Sequence, residues 1–432
     1  MRVKEFFDGE FIQFSKYDNV RSIPSLLDGF KVSQRKAIYG IQDRGENAAE
    51  IQVERIAAHV AAVSMYHHGA GSLESTIIGM AQKYPGSNNM NVFEPSGQFG
   101  SRLSAEAASP RYVFTKFSDN FRKLFKKEDD IILKYQYEDG VKIEPEYYIP
   151  ILPTVLINGS QGVGTGYASK ILGYNPKDIK DAVMAVVAGK KIKQLIPWFN
   201  GFKGNIYRNE RQTVIEGKFE IENTTTIKVT ELPIGMYLDD FKDHLYNLED
   251  KGFVKSFEDL STEDQFEFIL TVPRSTTALD EETIKNKLKL ISRETENFTL
   301  WDANKKIREF DTAEEIVIEF VAWRLERYEE RRQKLLQINE DELKWLNNKL
   351  RFIEYYLDNS KKFSNKTKSE LIEILEKEKF FDIDKLIRIP IYSLTRDELE
   401  QLKKDITDVS AKIKALKSTN AGEMYKKELG EL

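Results

Sequence analysis

The chain has 432 residues, enough for about three domains, and its 65 basic, 70 acidic and 41% hydrophobic residues exclude an intrinsically disordered protein. The absence of cysteine excludes disulfides, thiolate metal sites and a cysteine nucleophile, and four histidines disfavour a histidine-built metal centre. Because no apolar run approaches the roughly 18 residues of a membrane span, and the N-terminus lacks a signal peptide's apolar core, we expect no membrane association and a cytoplasmic location.

Residues 1–130 predict a winged-helix domain. Helical spacing of apolar residues predicts one helix over Val32–Ile41 and a second over Ile51–Tyr66, and Ser72 is a candidate N-cap for a third. The segments NVFEPSGQFGSR and RYVFTKF then predict two β-ribbons around a Pro-Ser-Gly turn. A helix-turn-helix followed by a β-ribbon is typical of winged helices, which commonly insert their second helix into DNA, although many contact only protein.

The same region is basic within an acidic chain. Residues 20–127 hold 14 basic and 9 acidic side chains, a net charge of +5, whereas the whole chain carries −5. A local cationic surface suits a polyanion such as DNA, but ordinary scatter of charges gives a similar count.

Residues 131–310 predict an α+β domain that we interpret as a tower or shoulder. Short alternating segments such as NIYRN and TTTIKVTEL predict strands, and DDFKDHLYNLEDKG predicts a helix. The glycine-rich segment INGSQGVGTGYAS has neither GxxxxGK[ST] nor GxGxxG. We therefore interpret it as a turn region where backbone lies close to a neighbouring element, not as a nucleotide loop.

Residues 311–432 predict an antiparallel coiled-coil arm. One seam of leucines recurs every seven residues, and a second alternates steps of three and four; the seams are Leu336, Leu343, Leu350, Leu357 and Leu399, Leu402, Ile406, Val409, Ile413, Leu416. The first helix, over residues 313–359, would be roughly 70 Å long. The apolar segment between the seams, about 361–394, predicts a helical head that pairs with a second copy of the chain. The predicted fold class is thus α+β and multidomain.

Tyr112 is the candidate nucleophile in a chain without cysteine. It directly follows Arg111 just past the predicted wing, within the basic region. A tyrosine can attack a phosphodiester if its hydroxyl proton is removed. A single Arg-Tyr pair does not by itself identify such a site, because most tyrosines only pack or form hydrogen bonds.

Seven motifs that occur in order resemble type IIA DNA topoisomerases. They are NVRSIPSLLDGFKVSQRKAIYG, YHHGAGSLESTIIGMAQKYPGSNN, FEPSGQFGSR, SPRYVFTKFSDNFRKLF, EPEYYIPILPTVLINGSQGVGTGYAS, PWFNGFKG and TELPIGMY. The resemblance runs from about residue 20 to the end and covers that family's breakage–reunion region. It implies a DNA cleavage and religation subunit with a winged-helix DNA gate and a dimerising exit gate.

The resemblance implies four catalytic residues. Tyr112 matches the nucleophile that forms a 5′-phosphotyrosyl bond, and Arg111 matches the arginine beside the scissile phosphate. Arg21 matches an arginine of the cleavage centre, and His68, in YHHG, matches a histidine that contacts the scissile region. Fixed cations suit this chemistry because charge develops in phosphoryl transfer.

The predicted DNA-binding residues are Lys31, Arg35, Arg102 and Val163. The resemblance implies that Lys31 and Arg35 hold the DNA backbone, and Arg102, in FEPSGQFGSR, is grouped with them. Val163 matches an isoleucine wedge that enters the base stack and bends the duplex. Valine is one methylene shorter, which predicts a shallower bend.

The resemblance also implies cofactors and partners that the sequence itself does not supply. We find no toprim-like carboxylate motif and no ATP-binding loop, so we expect Mg²⁺ to be held mainly by a partner's toprim domain and ATP to be bound by a partner subunit. The sole Asp-x-Asp, Asp382 and Asp384, lies in the head, and the Asp doublets at 129–130 and 239–240 are predicted to be surface or helix-capping carboxylates. With an initial methionine close to the first motif, the layout resembles the medium subunit of T-even-type phage topoisomerases more than a cut fragment of a fused eukaryotic-type enzyme. We expect this chain to form a homodimer, located in the host cytoplasm if it is phage-encoded.

Two alternatives remain at this point. A non-catalytic DNA-bridging protein would need only the winged helix and the coiled coil. A tyrosine recombinase or nickase acting alone would not need a separate Mg²⁺-binding subunit.

Overall fold

The computed structural model describes residues 3–45, 47–209, 212–263, 265–390, 394 and 396–432. The chain divides into two compact units, one reaching to Arg324 and including Glu428–Leu432, the other comprising Leu325–Lys427. The first unit combines helices with antiparallel strands, and the described elements of the second are helical. The predicted α+β, multidomain fold is confirmed, whereas the boundaries at 130/131 and 310/311 remain predictions.

The chain opens with a series of helices. They are α1 (Val3–Phe6), a π-helical turn (Phe7–Phe11), α2 (Ile12–Ser22), α3 (Val32–Asp43), α4 (Val53–Val63) and α5 (Ala70–Ala81). The second predicted helix begins two residues late because Ile51 and Gln52 pair with a strand instead. The predicted Ser72 N-cap is wrong, since α5 already begins after Gly69.

A three-stranded antiparallel sheet completes the winged helix. Its strands are β1 (Ile51–Gln52), β2 (Phe93–Ser96) and β3 (Phe114–Phe117), in the order β1-β3-β2. The apolar faces of α3, α4 and α5 pack with this sheet in one core, whose buried members include Ile38, Ile56, Val60, Leu73, Ile77, Phe93 and Phe117. The sheet fixes the loop before β3, which carries Arg111 and Tyr112.

The rest of the first unit contains small antiparallel sheets joined by helices. Its strands are β4 (Tyr135–Glu138), β5 (Val141–Pro145), β6 (Ser160–Gly164), β7 (Tyr167–Ile171), β8 (Asn205–Asn209), β9 (Gln212–Glu216), β10 (Lys218–Asn223), β11 (Thr226–Glu231), β12 (Ser256–Asp259), β13 (Phe268–Thr271), β14 (Ile291–Glu294), β15 (Phe298–Trp301) and β16 (Ile307–Phe310). Its helices are α6 (Asp119–Leu124), a 3₁₀ turn (Lys127–Ile132), α7 (Thr154–Asn158), α8 (Pro176–Val187), α9 (Leu238–Asp250), α10 (Arg274–Thr277) and α11 (Glu281–Lys287). Strands β10-β11-β13-β12 form the largest sheet, on which α9 packs Phe241, Leu245 and Leu248.

The second unit contains the predicted coiled coil. Its helices are α12 (Ala313–Phe363), which starts in the first unit and is irregular at Asn359, α13 (Lys368–Lys377), α14 (Ile383–Ile387), α15 (Arg396–Ser418) and α16 (Ala421–Glu431). The ion pairs Lys417–Glu340 at 2.8 Å and Lys349–Glu398 at 2.7 Å show that α12 and α15 run antiparallel. The long paired helices predicted from the two leucine seams are therefore present.

A small helical head lies between these two helices. Thr367 and Glu370 form a capping box that starts α13. Apolar side chains of the head bury themselves against α12 and α15, and the buried cluster is Phe352, Ile353, Leu375, Phe380, Leu386 and Leu402. Residues 391–393 of the predicted 361–394 head lie outside the described residues. In the described part of the chain no helix is long and apolar enough to span a membrane.

Candidate active site

The candidate nucleophile stands on an exposed loop at the N-terminal end of α4. The amide of Val53 donates to the carbonyl of Val113 at 3.0 Å, and Gln52 Nε2 donates to the carbonyl of Arg111 at 3.0 Å. The side chain of Tyr112 is 71% exposed. Neither its hydroxyl nor the Arg111 guanidinium bonds to another described residue. The backbone of the loop is therefore fixed, while its two functional groups are available to a ligand.

The hairpin β6–β7 carries Val163 and packs closely on α2. A Cβ at Gly162 would collide with the carbonyl oxygen of Ser22, and one at Gly164 would collide with the side-chain oxygen of Asn19. The predicted close backbone approach in this segment is thus confirmed, because only glycine leaves room for α2. Val163, between the two glycines, is 73% exposed.

Hydrogen bonds tie this hairpin to its neighbours. Thr165 Oγ1 donates to Asp18 Oδ2 at 2.7 Å, and Asn19 Nδ2 donates to the carbonyl of Thr165 at 3.1 Å. Lys31 Nζ donates to the carbonyl of Gln161 at 2.6 Å, and burial lowers the pKa of this ammonium. The exposed valine therefore projects from a hairpin that is fixed to its neighbours.

Arg21 lies on α2 beside the same hairpin. It is exposed and directly precedes Ser22, the residue whose carbonyl lies against Gly162. Its guanidinium has no partner among the described residues. An unpaired cation and an exposed apolar side chain thus belong to one surface of α2 and the hairpin, which we call the wedge platform (Tyr17, Arg21, Lys31, His68 and Val163).

His68 joins this platform from the corner between α4 and α5. Its Nε2 lies 2.6 Å from the hydroxyl of Tyr17 on α2, and the ring of Tyr66 meets it edge-on with centroids 5.2 Å apart. The neighbouring His67 instead bonds to Glu138 at 2.7 Å. Of the two adjacent histidines, only His68 therefore faces α2.

The wedge platform and the Arg111–Tyr112 loop lie at opposite ends of α4. The loop is bonded to the first residues of this 11-residue helix, whereas His68 follows its last turn. An 11-residue helix is about 16 Å long. A single chain therefore does not bring the predicted nucleophile together with the predicted Arg21 and His68.

Arg35 is engaged inside the fold. Its Nε donates to Asp28 Oδ2 at 2.7 Å and its Nη2 donates to Asp28 Oδ1 at 2.9 Å. Burial acts to lower the pKa of Arg35, but the buried Asp28 carboxylate outweighs it and the pKa is raised. The pair holds the turn before α3, so the structure does not support the predicted role of Arg35 in DNA binding.

Arg102 is also buried, and the prediction that it binds DNA needs correction. Its Nη2 donates to Glu231 Oε1 at 3.0 Å and to the carbonyl of Leu232 at 2.7 Å. The guanidinium lies over the ring of Phe266, 4.9 Å from its centroid. Arg102 therefore joins the wing to the largest sheet and does not face solvent.

The carboxylates form no metal site in the described part of the chain. No group of three or more His, Asp or Glu side chains converges there. Asp382 pairs with Lys385 and Asp384 with Lys368, both at 2.9 Å. Mg²⁺ therefore does not fit the residues that the structure describes.

The two Asp doublets have different environments. Asp239 and Asp240 lie exposed in the first turn of α9, as predicted. Asp129 instead forms a buried ion pair with Arg324 at 2.6 Å, so its prediction as a surface carboxylate is wrong. Sequence alone missed this pair because its partners are 195 residues apart.

Tyr17 is the residue of the platform that sequence reasoning missed. It precedes Arg21 by four residues, so both lie on one face of α2. That spacing was the available signal, but nothing in the sequence indicated that His68 lies opposite this face.

Comparison with known proteins shows which family the chain matches. Residues 21–430 match the family of DNA gyrase/topoisomerase IV A-subunits. DNA topoisomerase 2 of Plasmodium falciparum is 35% identical over 98% of this chain and 34% of its own length. The enzyme of Arabidopsis thaliana is 40% identical over 87% of this chain and 26% of its own length. That of Acanthamoeba polyphaga mimivirus is 32% identical over 99% of this chain and 40% of its own length.

A solved structure is similar over nearly the whole chain. The crystal structure of the Plasmodium falciparum topoisomerase II DNA-binding, cleavage and re-ligation domain superposes with a TM-score of 0.91 at 35% identity. The match covers 99% of this chain and 63% of that one. The chain spans about a quarter to two fifths of the length of these curated relatives.

Proposed function

We propose, because the chain belongs to the family of DNA gyrase/topoisomerase IV A-subunits, that it cleaves and religates double-stranded DNA as part of an ATP-dependent type IIA topoisomerase. The observation that carries the proposal is the exposed Arg111–Tyr112 pair, whose functional groups are unpaired on a loop with a fixed backbone. An exposed pair of this kind is organised to meet a ligand, not to stabilise the fold.

Tyr112 is the nucleophile of the proposed reaction. Its hydroxyl loses a proton, its oxygen bonds to the phosphorus of one phosphodiester, and the 3′ oxygen of the neighbouring nucleotide leaves and takes up a proton. The broken strand then carries a 5′-phosphotyrosyl bond. Attack by the 3′ hydroxyl reverses the step, restores Tyr112 and reseals the strand without an external energy source.

Arg111, Arg21 and His68 donate hydrogen bonds that stabilise the phosphoryl group as its charge develops. Val163 and Lys31 hold the duplex bent on the wedge platform, with Val163 entering between base steps. The close packing of the hairpin on α2 supports this assignment, because a wedge must resist the restoring force of the DNA.

A second copy of the chain completes each cleavage site in this proposal. The Tyr112 loop is bonded to the first residues of α4, whereas His68 follows the last turn of this helix, which is about 16 Å long. In a twofold homodimer, the loop of each copy can face the wedge platform of the other. Two equivalent sites then cut the two strands of one duplex, and a second duplex passes through the break.

Partners supply the remaining functions. The described residues offer no converging carboxylates, so we propose that a toprim domain outside them holds Mg²⁺ and that a partner subunit binds ATP. We propose that these parts lie on separate chains, as in T-even-type phage topoisomerases, whose medium subunit the seven motifs resemble. A reducing cytoplasm, the host's if the protein is phage-encoded, is the compartment we propose for a chain without cysteine.

Covalent capture of DNA tests the proposed function. The chain is incubated with supercoiled plasmid and Mg²⁺, with and without a toprim- and ATPase-bearing partner, and the reaction is stopped with detergent. Linear DNA with protein attached at its 5′ ends, formed only with the partner, supports the proposal. Capture by this chain alone would contradict the separate metal-binding partner. DNA binding without capture, despite confirmed assembly with the partner, would favour a non-catalytic bridging protein.

A further inference from the structure

We propose that Tyr17 is a positioning residue that sets the proton arrangement of His68 for contact with the cleaved DNA strand. The inference rests on the proposed function and deepens it by naming the atom of His68 that faces the phosphate. It starts from one contact, the 2.6 Å hydrogen bond between the Tyr17 hydroxyl and His68 Nε2.

The ring of His68 is held from two sides. Tyr17 reaches it from α2, with ring centroids 6.2 Å apart, and Tyr66 contacts it edge-on from the α4–α5 corner. Tyr66 is itself fixed, since its hydroxyl donates to Ser72 Oγ at 3.1 Å. The imidazole therefore has a defined orientation, with Nε2 occupied and Nδ1 left for a ligand.

The chemistry of phosphate then decides where the proton lies. The oxygens of a DNA phosphate are acceptors, so the nitrogen that faces them must carry hydrogen. Because Tyr17 occupies Nε2, that nitrogen is Nδ1. In the neutral ring only one nitrogen carries hydrogen, so Nε2 accepts and the Tyr17 hydroxyl donates. Tyr17 thus selects the Nδ1–H tautomer, which keeps His68 a donor even when the imidazole is uncharged.

The position of Tyr17 on α2 couples this tautomer to the rest of the platform. Tyr17 lies one helical turn from Arg21, and the next residue, Asp18, accepts the hydrogen bond from Thr165 of the hairpin. The α2 helix therefore fixes the positions of His68, Arg21 and the β6–β7 hairpin relative to one another. The other titratable or charged groups around the pair are Arg21 on α2, His67 and Tyr66 at the corner, and Glu138 of β4, which bonds to His67.

The test is a Tyr17→Phe variant, assayed as the full chain with Mg²⁺ and a toprim-bearing partner. Phenylalanine keeps the ring and removes only the hydroxyl. We expect the rate of covalent DNA capture to fall roughly 3- to 10-fold, the effect of one lost hydrogen bond, with unchanged non-covalent DNA affinity.

A double-mutant cycle separates positioning from a general structural effect. In a His68→Ala background, Tyr17→Phe should cause no further loss of capture, because the group that it positions is absent. Tyr246→Phe is the matched control, since Tyr246 is a similarly exposed tyrosine on α9, and it should capture DNA like the wild type. A loss caused by Tyr17→Phe that persists in the His68→Ala background would overturn the inference.

Nitrogen NMR of the histidines gives a readout independent of activity. The chain has only four histidines, so the ¹⁵N signals of His68 can be assigned by its substitution. We expect the Nδ1–H tautomer in the neutral wild type and a shift toward Nε2–H in Tyr17→Phe. An unchanged tautomer would overturn the inference, whereas a wild type that captures no DNA would contradict the proposed function and leave the NMR result to decide the role of Tyr17.

Discussion

The Arg111–Tyr112 loop and the wedge platform differ in how their side chains are held. On the loop, the backbone is bonded to α4 but the side chains of Arg111 and Tyr112 bond to no other described residue. On the platform, Arg21 likewise has no partner among the described residues, but Lys31 and His68 are already bonded to neighbouring groups. Close contacts also fix the hairpin that carries Val163.

This difference indicates that the platform and the loop have different roles. The platform is preorganised, as expected for a surface that deforms a stiff duplex. In the proposed reaction, the partners of the reactive groups on the loop arrive with the DNA and with a second copy of the chain. Substitutions that alter one region and leave the other intact test this difference.

The largest expected effect comes from Tyr112→Phe. Loss of the nucleophilic oxygen should reduce covalent DNA capture by at least about 10⁴-fold while DNA affinity stays within about twofold, because only a hydroxyl is removed. Detergent-stopped capture and equilibrium binding measure the two quantities. Tyr137→Phe is the control, since Tyr137 is 69% exposed against 71% for Tyr112. Residual capture by Tyr112→Phe would show that another residue attacks.

Arg21→Ala should have the next largest effect. Removing a cation that stabilises developing charge should lower the single-turnover cleavage rate about 100-fold, with a much smaller change in DNA affinity. Arg21→Lys should recover only part of the rate, because a lysine cannot donate the paired hydrogen bonds of a guanidinium. A change in affinity alone would make Arg21 a backbone-binding residue only.

Substitution of Val163 should change DNA bending before it changes chemistry. Val163→Ala should reduce the bend angle and lower cleavage about 10-fold, whereas Val163→Ile should increase the bend. Energy transfer between dyes at the duplex ends measures the angle. Val141→Ala, at an exposed valine of β5, should leave both quantities unchanged. An unaltered bend in both Val163 variants would remove this residue from the wedge.

The smallest effect on DNA chemistry is expected from Arg102→Ala. Because Glu231 would be left buried and unpaired, the free energy of unfolding should fall by about 3 kcal/mol, and the salt dependence of DNA binding should stay the same.

Lys31→Ala should instead reduce the slope of log affinity against log salt by about 1 for one lost phosphate contact. Denaturant titration and binding at several salt concentrations distinguish the two. A reduced salt slope in Arg102→Ala would restore this arginine to the DNA surface.

Much of the fold could be predicted from the sequence because its patterns are local. The heptad leucines predicted the paired long helices, and alternating apolar residues predicted the strands of the first unit. The start of α4 was misplaced because Ile51 and Gln52 take their structure from Phe114 and Thr115, more than 60 residues away.

The candidate functional residues also divide into those whose exposure fits the local motifs and those whose surroundings depend on distant partners. Tyr112, Arg111, Arg21 and Val163 are exposed where motif resemblance places them. Arg35 and Arg102 also belong to such motifs, but their buried carboxylate partners, Asp28 and Glu231, are revealed only by the structure. The motifs thus predicted a region of DNA contact without separating its exposed arginines from those that hold the fold.

The separation of the loop from the platform leads to the most direct measurement. Chains carrying Tyr112→Phe and chains carrying Arg21→Ala are co-expressed with different tags. The mixed dimers are purified, combined with Mg²⁺ and the toprim- and ATPase-bearing partner, and assayed for covalent capture. If each site combines Tyr112 of one copy with Arg21 of the other, every mixed dimer has one intact site and should nick DNA, although each parent is nearly inactive. Across an unsorted mixture, about a quarter of the sites should be intact. Mixed dimers that bind DNA but do not nick it would contradict the shared site and place the whole reaction within one chain.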